Sequence, residues 1–211
     1  MQEVLPGIFH WVSVHPRIGV EVSSYWLEEQ GVLVDPLVPA QGLEWFAARS
    51  SEPAAVLLSN RHHYRDSARF AERFGCEVWC SQAGLGEFTH GEQVNGFAAG
   101  QELPGGVIAC EVGAICPDDS ALYVPWARVL AFADGLVKGS PHGQSKLGFV
   151  PDALMDDEQA TKRGLLAAFR RLVDELDFEH LLLAHGGPVL DDGRAQLVEL
   201  IDCGGRTAFE M

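Results

Sequence analysis

Apolar residues along the chain fall into short runs whose spacing separates strands from helices. Segments 8–14, 19–28 and 31–35 are rich in β-branched and aromatic residues and are cut by turn residues, the last by Pro36. They are expected as antiparallel strands. Leu43, Phe46 and Ala47 share one face of an expected helix over 40–49. The continuous run Ala55-Val56-Leu57-Leu58 reads as a buried strand, followed by a helix over 67–74 and a strand over 77–80. A glycine-rich stretch, 84–106, carries no clear period. Strands resume at 106–112, 121–125 and 128–133, with Pro117-Asp118-Asp119 as the turn between the first two.

The clearest helix spans 158–176, with Leu165, Phe169, Leu172 and Leu176 on one stripe and Asp156 or Asp157 as N-cap. A strand over 180–184 and a helix over 193–201 close the pattern. This order predicts an α+β protein, sheet layers with helices outside, and excludes a helical bundle or an all-β sandwich. No short period repeats. The 211 residues fit one domain, 1–211, with a substantial core.

Composition narrows the function classes. Hydrophobic residues at 47% and charged residues at 21% describe a folded chain, not a disordered one. A net charge of −15 repels phosphate backbones and anionic bilayers, so neither nucleic acid nor membrane is an expected partner. Five cysteines, at 76, 80, 110, 116 and 203, show no CxxC spacing and are expected as free thiols. With no basic-then-apolar start and no long apolar run, a soluble cytoplasmic protein is expected.

Three apolar strands end in groups that bind metals or move protons. Ser59 leads into Asn60-Arg61-His62-His63-Tyr64-Arg65-Asp66-Ser67, Ala133 into Asp134-Gly135, and Ala184 into His185-Gly186-Gly187-Pro188. If the strands are neighbours, these side chains converge at one rim of a rigid sheet. Each group alone has a plainer reading, a hydrogen-bonded histidine or an Asp-Gly turn. Other chemistries are poorly supported: there is no Gly-x-Ser-x-Gly elbow, and Ser140 and His142 are too close in sequence for a triad. Gly84-Leu85-Gly86 lacks the rest of a dinucleotide fingerprint.

Taken together, these segments resemble the metallo-β-lactamase superfamily over most of the chain. Leu33-Val34-Asp35 is similar to its "Leu-Ile-Asp" segment, and 62–67 to its His-x-His-x-Asp-His turn. Asp134-Gly135 resembles the strand-end carboxylate that bridges metals, and His185-Gly186 the closing histidine. The resemblance implies a four-layer αββα sandwich. It also implies a metal set of His62, Asp66, Asp134 and His185, with Asp66 and Asp134 as catalytic carboxylates orienting a water.

The departures bear on function. Tyr64 and Ser67 stand where the turn has histidines, and segment 113–120 has none where the family has another. The usual two-ion centre is therefore not expected, and His63, Tyr64 or Cys116 is each a candidate substitute ligand. One reading is a hydrolase of small ester- or thioester-like bonds with at most one divalent ion, zinc or iron, acting on a small-molecule substrate. The alternative is a non-catalytic binding or scaffolding member of the fold, without metal, whose polar residues pair with Arg61 or Arg65. A local basic patch from Arg61, Arg65, Lys138 and Lys146 would counter the acidic background for an anionic substrate. The loop 138–157 is long enough for a lid or for the arm of a homodimer.

Overall fold

Alternating side chains on the strands build the layers. In the computed structural model, which describes residues 1–139 and 146–206, a seven-stranded sheet carries β1 (Gln2–Leu5), β2 (Ile8–Val14), β3 (Glu21–Leu27), β4 (Val32–Val34), β5 (Ala55–Leu57), β6 (Glu77–Ser81) and β7 (Val94–Phe97), in that spatial order. β1 to β4 pair antiparallel, as the early turns required, and β4 to β7 pair parallel. The second sheet contains β8 (Glu102–Leu103), β9 (Val107–Glu111), β10 (Ser120–Val124), β11 (Val129–Phe132) and β14 (His180–Leu183), in the order β14-β11-β10-β9-β8. Within it only β11 and β14 run parallel.

Both sheets are apolar on both faces, so each must be covered twice. Tyr25, Leu27, Val34 and Leu57 of the first sheet meet Ala109, Leu122, Ala131 and Leu182 of the second in a central core. The opposite face of the first sheet, with Trp26, Leu33 and Val56, packs on Phe46 of α1 (Glu44–Ala47) and Phe70 of α2 (Ser67–Phe74). Leu130, Phe132, Leu181 and Leu183 cover the outer face of the second sheet. They pack on Leu165, Phe169 and Leu172 of α3 (Glu158–Glu175) and on Leu197 and Leu200 of α4 (Gly193–Asp202). Each such side chain, fully buried, contributes about 1.5–3 kcal/mol. The result is the expected αββα sandwich.

Local signals behaved as their chemistry dictates. The Asp157 carboxylate accepts the Ala160 N–H and starts α3. The expected helix over 40–49 is a single turn, Glu44–Ala47, in which Phe46 alone is buried, too little apolar surface to hold a longer helix against the sheet. In the glycine-rich stretch lie a 3-10 segment, Gln82–Glu87, and β7, whose Gly96 has no side chain to mark a period. The 138–157 loop contains a hairpin of β12 (Val137–Gly139) and β13 (Lys146–Gly148). Residues 140–145, which include Ser140 and His142, lie outside the described residues.

Candidate metal centre

Two pairs of parallel neighbours, β4 with β5 and β11 with β14, open onto one rim of the sandwich. Asp35 follows β4, Ser59 and the 3-10 turn Arg61–Tyr64 follow β5, Asp134 follows β11 and His185 follows β14. The rim is stitched across the sheets: Ser23 N–H donates to the Ala184 carbonyl at 2.8 Å, and Ser120 N–H to that of Ser59 at 2.9 Å. The buried Tyr25 hydroxyl donates to the Leu183 carbonyl at 2.8 Å and accepts the Leu183 N–H at 3.0 Å.

His63, Asp134 and His185 each bring one ligand atom to a group whose members all lie within 4.8 Å of one another. His185 Nε2 is 3.0 Å from Asp134 Oδ1, and His63 Nε2 is 3.4 Å from the same oxygen. Metal–ligand bonds of about 2.0–2.2 Å in a tetrahedral site require donor separations of about 3.3 Å, so the spacing fits one ion. Two imidazoles and one carboxylate are a set that zinc and ferrous iron both accept. No other group of three such donors occurs among the described residues.

The partners behind these donors fix which atoms face the group. Asp35 Oδ2 lies 2.9 Å from His63 Nδ1, and its Oδ1 accepts the Ser59 N–H at 2.9 Å. Ser59 Oγ donates to Asp35 Oδ2 in a short bond and lies 2.9 Å from His63 Nδ1. A proton on Nδ1 therefore leaves Nε2 as the outward nitrogen, the arrangement that orients metal-binding histidines. Asn60 Nδ2 donates to Asp134 Oδ2 at 2.8 Å, which leaves Oδ1 for the group. Asn60 Oδ1 also accepts the His62 N–H at 2.9 Å and caps the 3-10 turn.

Charge at the rim is balanced by burial and pairing. Burial alone would lower the His63 pKa, yet Asp35 and Asp134 overcome it and Arg65 and raise it to about 9. Burial pushes the Asp134 carboxyl up, but His63 and His185 hold it well below the usual range. Asp119 has the opposite fate: it is buried, both oxygens lack a partner, and burial with nearby Asp134 raises its pKa well above normal.

Of the four residues the sequence placed at the metal, Asp134 and His185 share the group, while His62 and Asp66 lie outside it. The 3-10 turn capped by Asn60 sends His63 inward and leaves His62 exposed. Asp66 is turned aside, its Oδ2 accepting the Val38 N–H at 2.8 Å. Tyr64 packs near Phe88, and the Cys116 thiol, raised by burial and by Asp119, is not in the group. Arg61 is tied to buried Asp118, which also accepts the Arg61 N–H at 2.6 Å. The partners missed in the sequence were Asp35, Ser59 and Asn60, and each could have been found among the first polar residues after an apolar strand. Gly186 follows His185 with φ +93°, and a Cβ there would overlap the Lys138 carbonyl.

No protein-family model matches the sequence, and no curated protein matches it. Solved structures do match. A metallo-β-lactamase from Pontibacter korlensis superposes with TM-score 0.70 and 16% identity over 96% of this chain and 97% of that one. A metallo-β-lactamase family protein from Thermus thermophilus gives 0.66 and 18%, over 95% and 80%. The flavodiiron protein from Giardia intestinalis gives 0.65 and 15%, over 96% of this chain and 58% of that one. The chain has the metallo-β-lactamase fold. At these identities the likeness extends to the fold alone.

Proposed function

We propose that the protein is a hydrolase of small ester- or thioester-like bonds that works with one divalent ion held by His63 Nε2, Asp134 Oδ1 and His185 Nε2. The reading rests on one observation: three donors converge within 4.8 Å, and the buried one is oriented from behind by a carboxylate. When bound, such an ion supplies Lewis acidity and lowers the pKa of water toward neutrality.

The chain's own residues prepare that chemistry. Asp35 and Ser59 hold the Nδ1 side of His63 so that Nε2 points to the group. Asn60 holds Asp134 by one oxygen and frees the other. His63 is buried, whereas the His185 and Asp134 side chains are each 23% exposed, so water and substrate approach from the His185 side. The acidic background disfavours polyanionic substrates.

Protein purified without chelator should carry close to one ion of zinc or iron per chain. It should hydrolyse members of a panel of aryl esters, thioesters and lactones, and lose that activity on chelation. Metal-free protein with no tight zinc site and no hydrolysis would remove the proposal.

A non-catalytic member of the fold is the second reading. It is favoured by the paired charges at the rim, where His63 and Arg65 offset Asp35 and Asp134 without an ion. The same metal measurement decides between the two.

A further inference from the structure

β12 and β13 form a ribbon of two strands that belongs to neither main sheet. Two strands alone are marginal in water and need further support. The His185 loop rests on this ribbon: the Lys138 N–H donates to the His185 carbonyl at 3.1 Å, Lys138 Nζ donates to the Pro188 carbonyl at 3.4 Å, and the Lys138 carbonyl crowds Gly186. Where β12 moves, the His185 backbone follows.

The ribbon is held in turn from two sides. Leu147 and Phe149 are buried in the outer core, with the Phe149 ring 6.2 Å from that of Phe169 on α3. The second support is the segment after α4. Gly204 and Gly205 adopt φ +79° and +84°, which ends the helix and turns the chain back to β13. A Cβ at Gly205 would overlap the Phe149 ring, so the segment passes directly over it. Arg206 then brackets the strand: its carbonyl accepts the Phe149 N–H at 2.8 Å, and its Nε donates to the Leu147 carbonyl at 2.9 Å. A side-chain N–H thus supplies one bond of a third-strand ladder. Arg206 Nη1 also meets Glu199 at 3.2 Å, but a surface ion pair of this kind contributes little.

We propose that Arg206 is a positioning residue for the His63–Asp134–His185 group, acting through the β12–β13 ribbon on the backbone of His185. His63 and Asp134 are fixed from the other side of the rim, by Asp35, Ser59 and Asn60. Loss of the Arg206 bracket therefore loosens one donor of the three and spares the other two. The inference rests on reading the group as a metal centre for its consequence, while the placement of His185 can be measured without metal.

The test uses the full chain, first in chelator, with the His185 imidazole and the Ser59 amide followed by 15N NMR, and then in a zinc titration. Arg206→Met keeps the apolar stem and loses the donors. Its His185 signals should shift and broaden while the Ser59 amide, bonded to Asp35, stays in place. Zinc should bind about tenfold more weakly, within the range by which residues that touch no ligand alter a site. Arg206→Lys keeps a donor for the Leu147 carbonyl and should restore most of the affinity. Unmoved His185 signals in Arg206→Met overturn the proposal, as does equal disturbance of the Ser59 amide or no recovery in Arg206→Lys. If Arg206→Met does not fold, hydrogen exchange of the wild type decides: the Phe149 and Lys138 amides should open in one step, and independent opening overturns the proposal. A wild type that binds no zinc removes the metal reading and leaves the His185 signals to judge this one.

Discussion

Asp35 Oδ2 and His63 Nδ1 lie 2.9 Å apart, joining the end of β4 to the turn after β5 in the buried floor of the rim. Removing that carboxylate leaves His63 free to choose its tautomer. Asp35→Asn should weaken zinc binding about 10- to 100-fold, the usual cost of losing such a partner. A competition titration with a chromophoric chelator measures it.

The two adjacent histidines should behave differently. His63→Ala should abolish metal retention, because it removes one of three donors, while His62→Ala should leave it unchanged, because His62 is exposed and outside the group. Elemental analysis of the two purified variants gives the answer. Equal loss in both would restore His62 to the centre.

Asp119 predicts a pH dependence of stability. Its folded pKa is raised well above the ordinary 3.8, so the folded state holds this proton more tightly than the unfolded chain does. Its burial as an ionisable group therefore carries no charge penalty below 3.8 and increasingly destabilises the fold as pH rises toward the folded pKa. Asp119→Asn keeps a buried polar group and removes only the ionisation, so relative to the wild type it should gain stability as pH rises from acid to neutral. The advantage should vanish in acid. Urea unfolding in chelator across pH follows both curves.

The Arg61–Asp118 pair anchors the histidine turn to the β9–β10 loop, and the Asp118 side chain is fully buried. Asp118→Ala removes the buried counter-charge of Arg61, leaves it only the exposed Glu87 carboxylate at 3.7 Å, and should cost up to about 3–5 kcal/mol. Denaturant unfolding reads the loss.

Gly186→Ala tests the approach of the His185 loop to β12. The new Cβ meets the Lys138 carbonyl, and φ +93° is itself unfavourable for alanine. A loss of more than about 1 kcal/mol is expected, with weaker metal binding as His185 shifts. Thermal melting and zinc titration report the two effects separately.

The sequence by itself determined the layers. Apolar runs such as Val129–Phe132 and the stripe Leu165, Phe169, Leu172 are local records of which face is buried, and the structure follows them. It also marked the strand ends where polar groups gather, since Asp35, Ser59, Asp134 and His185 each follow an apolar run. Only the tertiary structure decided which of His62 and His63 turns inward. That choice depends on Asn60 capping a 3-10 turn while its amide holds Asp134, 74 residues away in the chain. It likewise decided that Asp66 serves the Val38 backbone, and that Arg61 and Arg65 have different partners. Side-chain direction in a short turn is set by long-range hydrogen bonds, and a residue pattern along the chain does not record them.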